Sequence, residues 1–263
     1  MTLRIVVTAL ALDEQLDRTL LSISRQSLFS SDVRVVVVSP QTETCASLPR
    51  WVELLEDSKQ GVYAAINKGI SHFLNEPTSQ SDAGPILFLS SGAEYLDDNS
   101  LEKLVGPLLE SQDPILVAGG WEQIIDRQGE SKLHSFPRFA KWLHFTGKVP
   151  INIEAMTFNP WCVRSSPLFD ESYRIGSDVD LTIRLLQEMP VKFLNVGVVL
   201  LPIPGLSAIH SGLGDAEKRE ILKKHRHFFQ SSPLYLAAAV SVFSSAKIAS
   251  AKDYLAKFLS LRN

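Results

Sequence analysis

Two carboxylates two residues apart open a helical pattern at Ser177-Asp178-Val179-Asp180-Leu181. A side chain that takes a proton from a hydroxyl needs an ionised oxygen held at a pocket. Asp178 suits that task, because the first turn of a helix favours a negative charge. Asp180 has two readings. One is a contact with an acceptor molecule. The other is a capping box, in which Ser177 accepts from the third helical amide and Asp180 reaches back to the Ser177 amide. A second candidate stretch is Gln60-Gly61-Val62-Tyr63-Ala64-Ala65-Ile66-Asn67-Lys68-Gly69-Ile70. It reads as a glycine turn that opens a helix, with Asn-Lys-Gly inside the helix. Glycine in a helix interior costs about 1 kcal/mol relative to alanine, so Gly69 implies that a backbone or a ligand comes close there. Lys68 suits a phosphate contact as a point charge, or is a solvated helix lysine.

The elements that must position these residues follow from hydrophobic patterning. Residues 3–9, 33–38 and 85–89 are near-continuous apolar runs, as expected of strands buried on both faces. A short strand is expected over 51–55. Helices are expected over 13–27 and 62–75. Strands and helices alternating with short links predict right-handed βαβ units and a parallel sheet, and ligands sit beyond the carboxyl ends of such strands. That topology gathers Thr8 to Asp13, Ser39 to Thr42, Asp57 to Gly61 and Ser90 to Glu94 around one crevice. In the second half, a helix near 98–111 precedes a strand and hairpin over 115–134. A strand over 156–163, a helix over 177–188, a strand over 191–199 and a charged helix over 215–229 complete the pattern.

The 263 residues carry a net charge of −3, with 45% hydrophobic and 21% charged residues. These values fit a globular protein with a real core, and the charge gives no nucleic-acid footprint. Cys45 and Cys162 match no metal or redox spacing, so a reduced, cytoplasmic setting is expected. No signal peptide is read at the start, and no stretch has the roughly 20 apolar residues of a spanning helix. Beyond Leu234, a helical extension ends in Lys247, Lys252, Lys257 and Arg262. This tail suits either docking on its own domain or peripheral contact with an anionic membrane face. The expected organisation is one domain over 1–232, with halves 1–97 and 98–232, and an extension over 233–263.

Several of these stretches resemble family 2 glycosyltransferases of the GT-A fold. Arg4-Ile5-Val6-Val7-Thr8-Ala9, Leu16 to Gln26 and Asn67-Lys68-Gly69 are similar to the family's first strand, first helix and nucleotide-side helix. Asp170-Glu171-Ser172-Tyr173 with Asp178-Val179-Asp180-Leu181 is similar to its Phe-Asp-Glu-Ser-Tyr … Asp-x-Asp-Leu region. Gly205-Leu206-Ser207 is similar to a late acceptor-side loop. The resemblance covers roughly 3–225. It implies a mostly parallel α/β sheet flanked by helices, with a smaller acceptor-side part.

The resemblance also implies an inverting transfer from a nucleoside diphosphate-sugar, most naturally a UDP-sugar, to a glycan or lipid-linked acceptor in surface-polysaccharide synthesis. Asp178 would be the catalytic base. Thr8, Ala9, Ser39, Asp57, Gly61, Asn67, Lys68, Ser91 and Gly92 would contact the donor, and Asp180, Trp161 and His210 the acceptor. In the family the loop after the fourth strand carries acids that bind a divalent cation, Mg²⁺ or Mn²⁺, which neutralises the leaving diphosphate. Here that loop is Ser90-Ser91-Gly92-Ala93-Glu94. Either Glu94 takes the ligand's place one residue late, or the metal site is weakened or gone. Other departures are Ser39 and Ala64 at often acidic positions, and Glu154-Ala155 where a His-Gln pair is common. They leave a second reading open: a catalytically silent relative that binds a nucleotide-sugar, a glycan or a partner transferase.

Overall fold

In the run Leu3 to Val7 only Arg4 is polar, and burial on both faces is the reason. The computed structural model describes residues 2–30, 32–41, 48–57, 61–75, 83–111, 113, 115–124, 129–136, 140, 151–159, 169–202 and 211–225. Its first strand is β1 (Thr2–Thr8), followed by α1 (Glu14–Ser24), β2 (Val33–Ser39), β3 (Val52–Glu56), α2 (Val62–Asn75) and β4 (Ala83–Ser90). These four strands form an all-parallel sheet in the order β3-β2-β1-β4. The chain continues through β5 (Glu94–Tyr95), α3 (Ser100–Glu110), β6 (Leu116–Ile124), β7 (Ser131–His134), a 3₁₀ turn (Ile153–Ala155), β8 (Met156–Thr157), α4 (Ser177–Glu188), β9 (Val191–Leu201) and α5 (Ser211–Lys224).

Side chains along β1 alternate between two apolar layers. Leu3, Ile5 and Val7 pack with Leu16, Leu20 and Ile23 of α1 and Leu101 and Leu104 of α3. Val6 packs with Ile66, Ile70 and Phe73 of α2 and Leu181 and Leu185 of α4. Both layers draw on residues from each side of residue 97. The N-terminus of α1 is fixed by Asp13, whose Oδ1 accepts from the amides of Gln15 at 3.0 Å and Leu16 at 3.2 Å. A second sheet has the order β5-β9-β6-β7, with β8 paired to β6. Its β6 and β9 run parallel. A bridge between Ile86 and Phe158 joins β4 to it.

Of the expected strand over 156–163, residues 160–163 lie outside the described residues. Ladder pairing stops at Thr157, with the single bridge at Phe158 beyond it. The charged helix begins earlier than expected, at Ser211, and its described part ends at Lys224. The extension over 233–263 lies outside the described residues. Among those described, no helix is long and apolar enough to cross a membrane.

Gly69 is bare for a reason other than a ligand. A Cβ there would lie 2.5 Å from Val6 Cγ1, 3.1 Å from Val6 Cγ2 and 3.3 Å from Val38 Cγ2. It is the point where α2 touches the sheet, and the β-branched valines have little freedom to yield. Helix propensity alone would make Gly69→Ala stabilising by about 1 kcal/mol. The overpacking should win, with a net destabilisation of about 1–3 kcal/mol in denaturant unfolding. A rise in the unfolding midpoint would contradict this packing account.

Candidate active site

Helix α2 follows β3, so its N-terminus sits at the carboxyl end of the parallel sheet. Gly61 leads into it with a φ of +114° and open space around the position of a Cβ. Only glycine adopts that conformation without strain. The first turn then presents Tyr63, and one turn on, on the same face, Asn67. Both side chains reach across to the segment 169–176. The Tyr63 ring stacks on Phe169 with centroids 5.5 Å apart. Its Oη meets the Ile175 carbonyl oxygen and, at 3.1 Å, Asp178 Oδ1. Asn67 Nδ2 donates to the Phe169 carbonyl oxygen at 2.9 Å and to Glu171 Oε1 at 2.7 Å, and its Oδ1 accepts from the Phe169 amide at 3.0 Å.

From the other side, Glu217 of α5 fixes the same segment. Its Oε1 accepts from the Arg174 amide and its Oε2 from the amides of Ile175 and Gly176, each at 2.8 Å. The loop that delivers Asp178 is therefore held at Phe169, at Glu171 and at 174–176 before α4 begins. The expected capping box does not form. Gly176 is the N-cap, with no side-chain bond, and Ser177 Oγ is buried with no partner among the described residues. The amides of Val179 and Asp180 donate to the Gly176 carbonyl oxygen at 3.0 and 3.1 Å.

Asp178 is half-buried, and its Oδ1 accepts from the Val179 amide at 2.9 Å. Burial pushes its carboxyl up to about 6; the hydrogen bonds from the Val179 amide and the Tyr63 hydroxyl oppose the rise and the charge of nearby Glu154 adds to it. That is the poise expected of a group that gains and loses a proton near neutrality. Glu154 comes from the 3₁₀ turn and grips the end of β4. Its Oε1 accepts from the Ser90 amide at 2.7 Å and from the Ser90 hydroxyl. Burial pushes its carboxyl up as well, against the pull of the Ser90 hydrogen bonds.

The ends of β1 to β4 are laced together. The Ser91 amide donates to the Thr8 carbonyl oxygen at 2.8 Å, the Ala9 amide to that of Val38 at 3.0 Å, and the Asp57 amide to that of Ser39 at 2.8 Å. Ser39 Oγ accepts from the Gln41 amide at 3.2 Å, and Lys68 Nζ donates to the Glu56 carbonyl oxygen. Gly92, with φ +93°, donates its amide to Thr19 Oγ1 at 2.9 Å. Thr8, Ala9, Ser39, Asp57, Gly61, Lys68, Ser91 and Gly92 thus lie at one end of the sheet. Asp57 Oδ1 is buried there without a partner among the described residues.

Other expected site residues have different employment. Asn67 is buried and its amide is spent on the 169–171 segment, so its side chain does not face a donor. Asp180 is 1% exposed, bonded to Arg184 at 2.9 Å, Lys224 at 3.0 Å and His225 at 2.9 Å. Burial alone would raise its carboxyl. The hydrogen bonds from His225, Lys224 and Arg184 outweigh it and hold the group well below the usual carboxylate range. Asp180 therefore ties α4 to α5 and offers nothing to an acceptor. Trp161 and His210 lie outside the described residues.

The donor set of the β4–β5 loop does not fit a resident metal. Ala93 is fully buried, and the Glu94 carboxylate lies 3.9 Å from the Arg18 guanidinium. A cation at Glu94 would compete with Arg18. Among the described residues, no three His, Cys, Asp or Glu side chains are grouped to hold an ion.

Three residues of the site escape sequence reasoning. Glu154 shows there only as a departure from a His-Gln pattern. Glu217 is hidden in a helix of alternating charges. Tyr63 carries one usable signal, its four-residue spacing from Asn67.

No protein-family model matches the chain, and no curated protein does. Solved structures match in fold. The S. aureus TarS 1–349 structure in complex with UDP is 12% identical with a TM-score of 0.64, over 98% of this chain and 71% of that one. The same protein in complex with UDP-GlcNAc is 12% identical with a TM-score of 0.64, over 99% and 72%. Against a further S. aureus TarS crystal structure, this chain spans 43% of the length. The mannosyltransferase PcManGT from Pyrobaculum calidifontis, in complex with GDP-Man and Mn²⁺, is 16% identical with a TM-score of 0.58, over 98% and 79%. The chain has the mixed α/β fold of these proteins, with a mostly parallel central sheet flanked by helices.

Proposed function

We propose that the chain is an inverting glycosyltransferase. It moves a sugar from a nucleoside diphosphate-sugar, most naturally a UDP-sugar, to a hydroxyl of a glycan or lipid-linked acceptor. The carrying observation is Asp178, a half-buried carboxyl poised near 6 and delivered to the carboxyl ends of four parallel strands. Structures of the same fold in complex with UDP, UDP-GlcNAc and GDP-Man support the donor class. Asp178 takes the proton of the acceptor hydroxyl. The acceptor oxygen forms a bond to the anomeric carbon from the face opposite the diphosphate. The anomeric carbon–oxygen bond breaks, and its electron pair leaves on the diphosphate.

The donor rests against Thr8, Ala9, Ser39, Asp57, Gly61, Ser91 and Gly92, with Lys68 and Arg18 as cations for its phosphates. No step runs through a metal. The place of work is the cytosolic face of a membrane, where such acceptors are extended during surface-polysaccharide synthesis, and the basic C-terminal tail suits that surface.

The buried Ala93 and the Glu94–Arg18 pair favour a second reading, a silent module that binds nucleotide-sugar, glycan or a partner transferase without turnover. Calorimetry with UDP and GDP, with and without Mn²⁺, addresses both readings. Heat of binding is expected without Mn²⁺, and Glu94→Gln should bind no weaker than wild type. Affinity that needs Mn²⁺ and is lost in Glu94→Gln would return Glu94 to the role of metal ligand. Binding of neither nucleotide under any condition would remove the nucleotide-sugar donor altogether.

A further inference from the structure

Each oxygen of a carboxylate offers about two lone-pair sites to donors. At Asp178 the donors are unevenly placed. The Tyr63 hydroxyl donates to Oδ1 at 3.1 Å, and the Val179 amide donates to the same oxygen at 2.9 Å. Oδ2 receives no hydrogen bond from any other described residue, and it is not one of the buried oxygens left without a partner. Oδ2 is therefore the oxygen open to an incoming hydroxyl. Tyr63 is itself held in place, by its stack on Phe169 and by its position in the first turn of α2. Its hydrogen is shared with the Ile175 carbonyl oxygen, and an ionised carboxylate draws a donor more strongly than a neutral carbonyl does.

We propose that Tyr63 is a positioning residue for Asp178: with the Val179 amide it occupies Oδ1, fixes the plane of the carboxylate and leaves Oδ2 to take the proton of the acceptor hydroxyl. This rests on the sugar-transfer reading. The acceptor O–H bond breaks, its hydrogen passes to Oδ2, and its electron pair enters the new bond to the anomeric carbon. Tyr63 keeps its own hydrogen throughout, because burial raises its phenol far above the ordinary range. Its hydrogen bond also works against the rise that burial imposes on the carboxyl, so that more of Asp178 is ionised near neutrality.

Charged groups bear on the pair from several elements. The charge of Glu154, in the 3₁₀ turn, acts on Asp178, and that of Glu217, in α5, acts on Tyr63. Asp180, on the same helix, is bonded to Arg184, Lys224 and His225. Glu171, on the segment before α4, accepts from Asn67 Nδ2 at 2.7 Å. None of these groups gives a hydrogen bond to Asp178. Val179 donates through its backbone, so Tyr63 is the side chain whose substitution strips Oδ1 of a donor.

The test is the titration of the Asp178 carboxyl carbon by NMR in the full chain, assigned by its loss in Asp178→Asn, in wild type and in Tyr63→Phe. The phenyl ring retains the stack on Phe169. The midpoint is expected to rise by about 1 pH unit in Tyr63→Phe, the worth of one hydrogen bond to a charged group. A midpoint that falls or stays would overturn the proposal. Positioning has its own readout, the release of UDP from UDP-GlcNAc with water as the acceptor. At about pH 9 the carboxyl is ionised in both proteins, yet turnover in Tyr63→Phe should still be down about 10-fold, because the carboxylate is free to turn. Equal turnover there would overturn the positioning role, and where wild type releases no UDP the titration decides alone. If Tyr63→Phe does not fold, wild type decides: one of the five tyrosine Cζ resonances should move with the Asp178 midpoint and stop moving in Asp178→Asn. Should none do so, the proposal is overturned. The carboxyl titration needs no donor or acceptor, so its failure is distinct from unchanged turnover in Asp178→Asn, which would defeat the sugar-transfer reading.

Discussion

Asp178→Asn should lose turnover by about 10³-fold, the usual worth of a general base, while becoming more stable than wild type at pH 8. The two effects share one cause. The Asp178 carboxyl is raised from 3.8 to about 6 in the folded protein, so the folded state holds a proton that the unfolded state has released. Its stabilising share is fully present below the unfolded value and is lost as pH rises through the folded one. At pH 8 the ionised group costs on the order of 1–3 kcal/mol. Asparagine removes that charge and can still accept from the Val179 amide. The stability gain should therefore appear at pH 8 and shrink toward zero near pH 4. Nucleotide affinity should change little, since the proposed reaction places Asp178 on the acceptor side. Turnover within a few fold of wild type, or a loss of stability at pH 8, would contradict the assignment.

Glu217→Ala should cost on the order of 3–5 kcal/mol in urea unfolding, because it strips the acceptor from three backbone amides at once. Glu217 is 9% exposed, so water does not readily replace the lost oxygens. Turnover should fall by about 10²-fold even where the variant remains folded, since the amides it holds fix the entry of α4 and with it Asp178. Glu217→Gln offers a single acceptor oxygen and places an amide donor against other donors, so it should fall between wild type and alanine. An alanine variant within 1 kcal/mol of wild type, with normal turnover, would show that α5 does not hold the site.

The parallel sheet was legible because its strands are buried on both faces. Leu3 to Val7, Val33 to Val38 and Ile86 to Leu89 leave no other arrangement for so many adjacent apolar side chains. The position of Asp178 in the first turn of α4 was legible for a related reason: the amphipathic pattern of that helix marks where it begins. What failed was partner choice across long separations. Ser177 and Asp180 have the local spacing of a cap, yet Asp180 takes Lys224 and His225, which the sequence places 44 and 45 residues later. Desolvation makes the Lys224 and Arg184 cations and the His225 ring together worth more to a buried acid than one local amide. Asn67 failed the same way, since its amide is drawn to a segment about a hundred residues on. Gly69 was read as the close approach of a backbone or a ligand, whereas its neighbours are the side chains of Val6 and Val38 in the sheet. Glu154 carried no local signal at all, because its role depends on the end of β4 arriving beside it.

The most direct measurement is the pH dependence of nucleoside diphosphate release, set beside the titration of the Asp178 carboxyl in the same protein. If that carboxyl is the base, release should fall away below about pH 6 in step with its protonation. Release that stays level from pH 5 to pH 7, or that persists in Asp178→Asn with the same profile, would mean that the proton goes elsewhere.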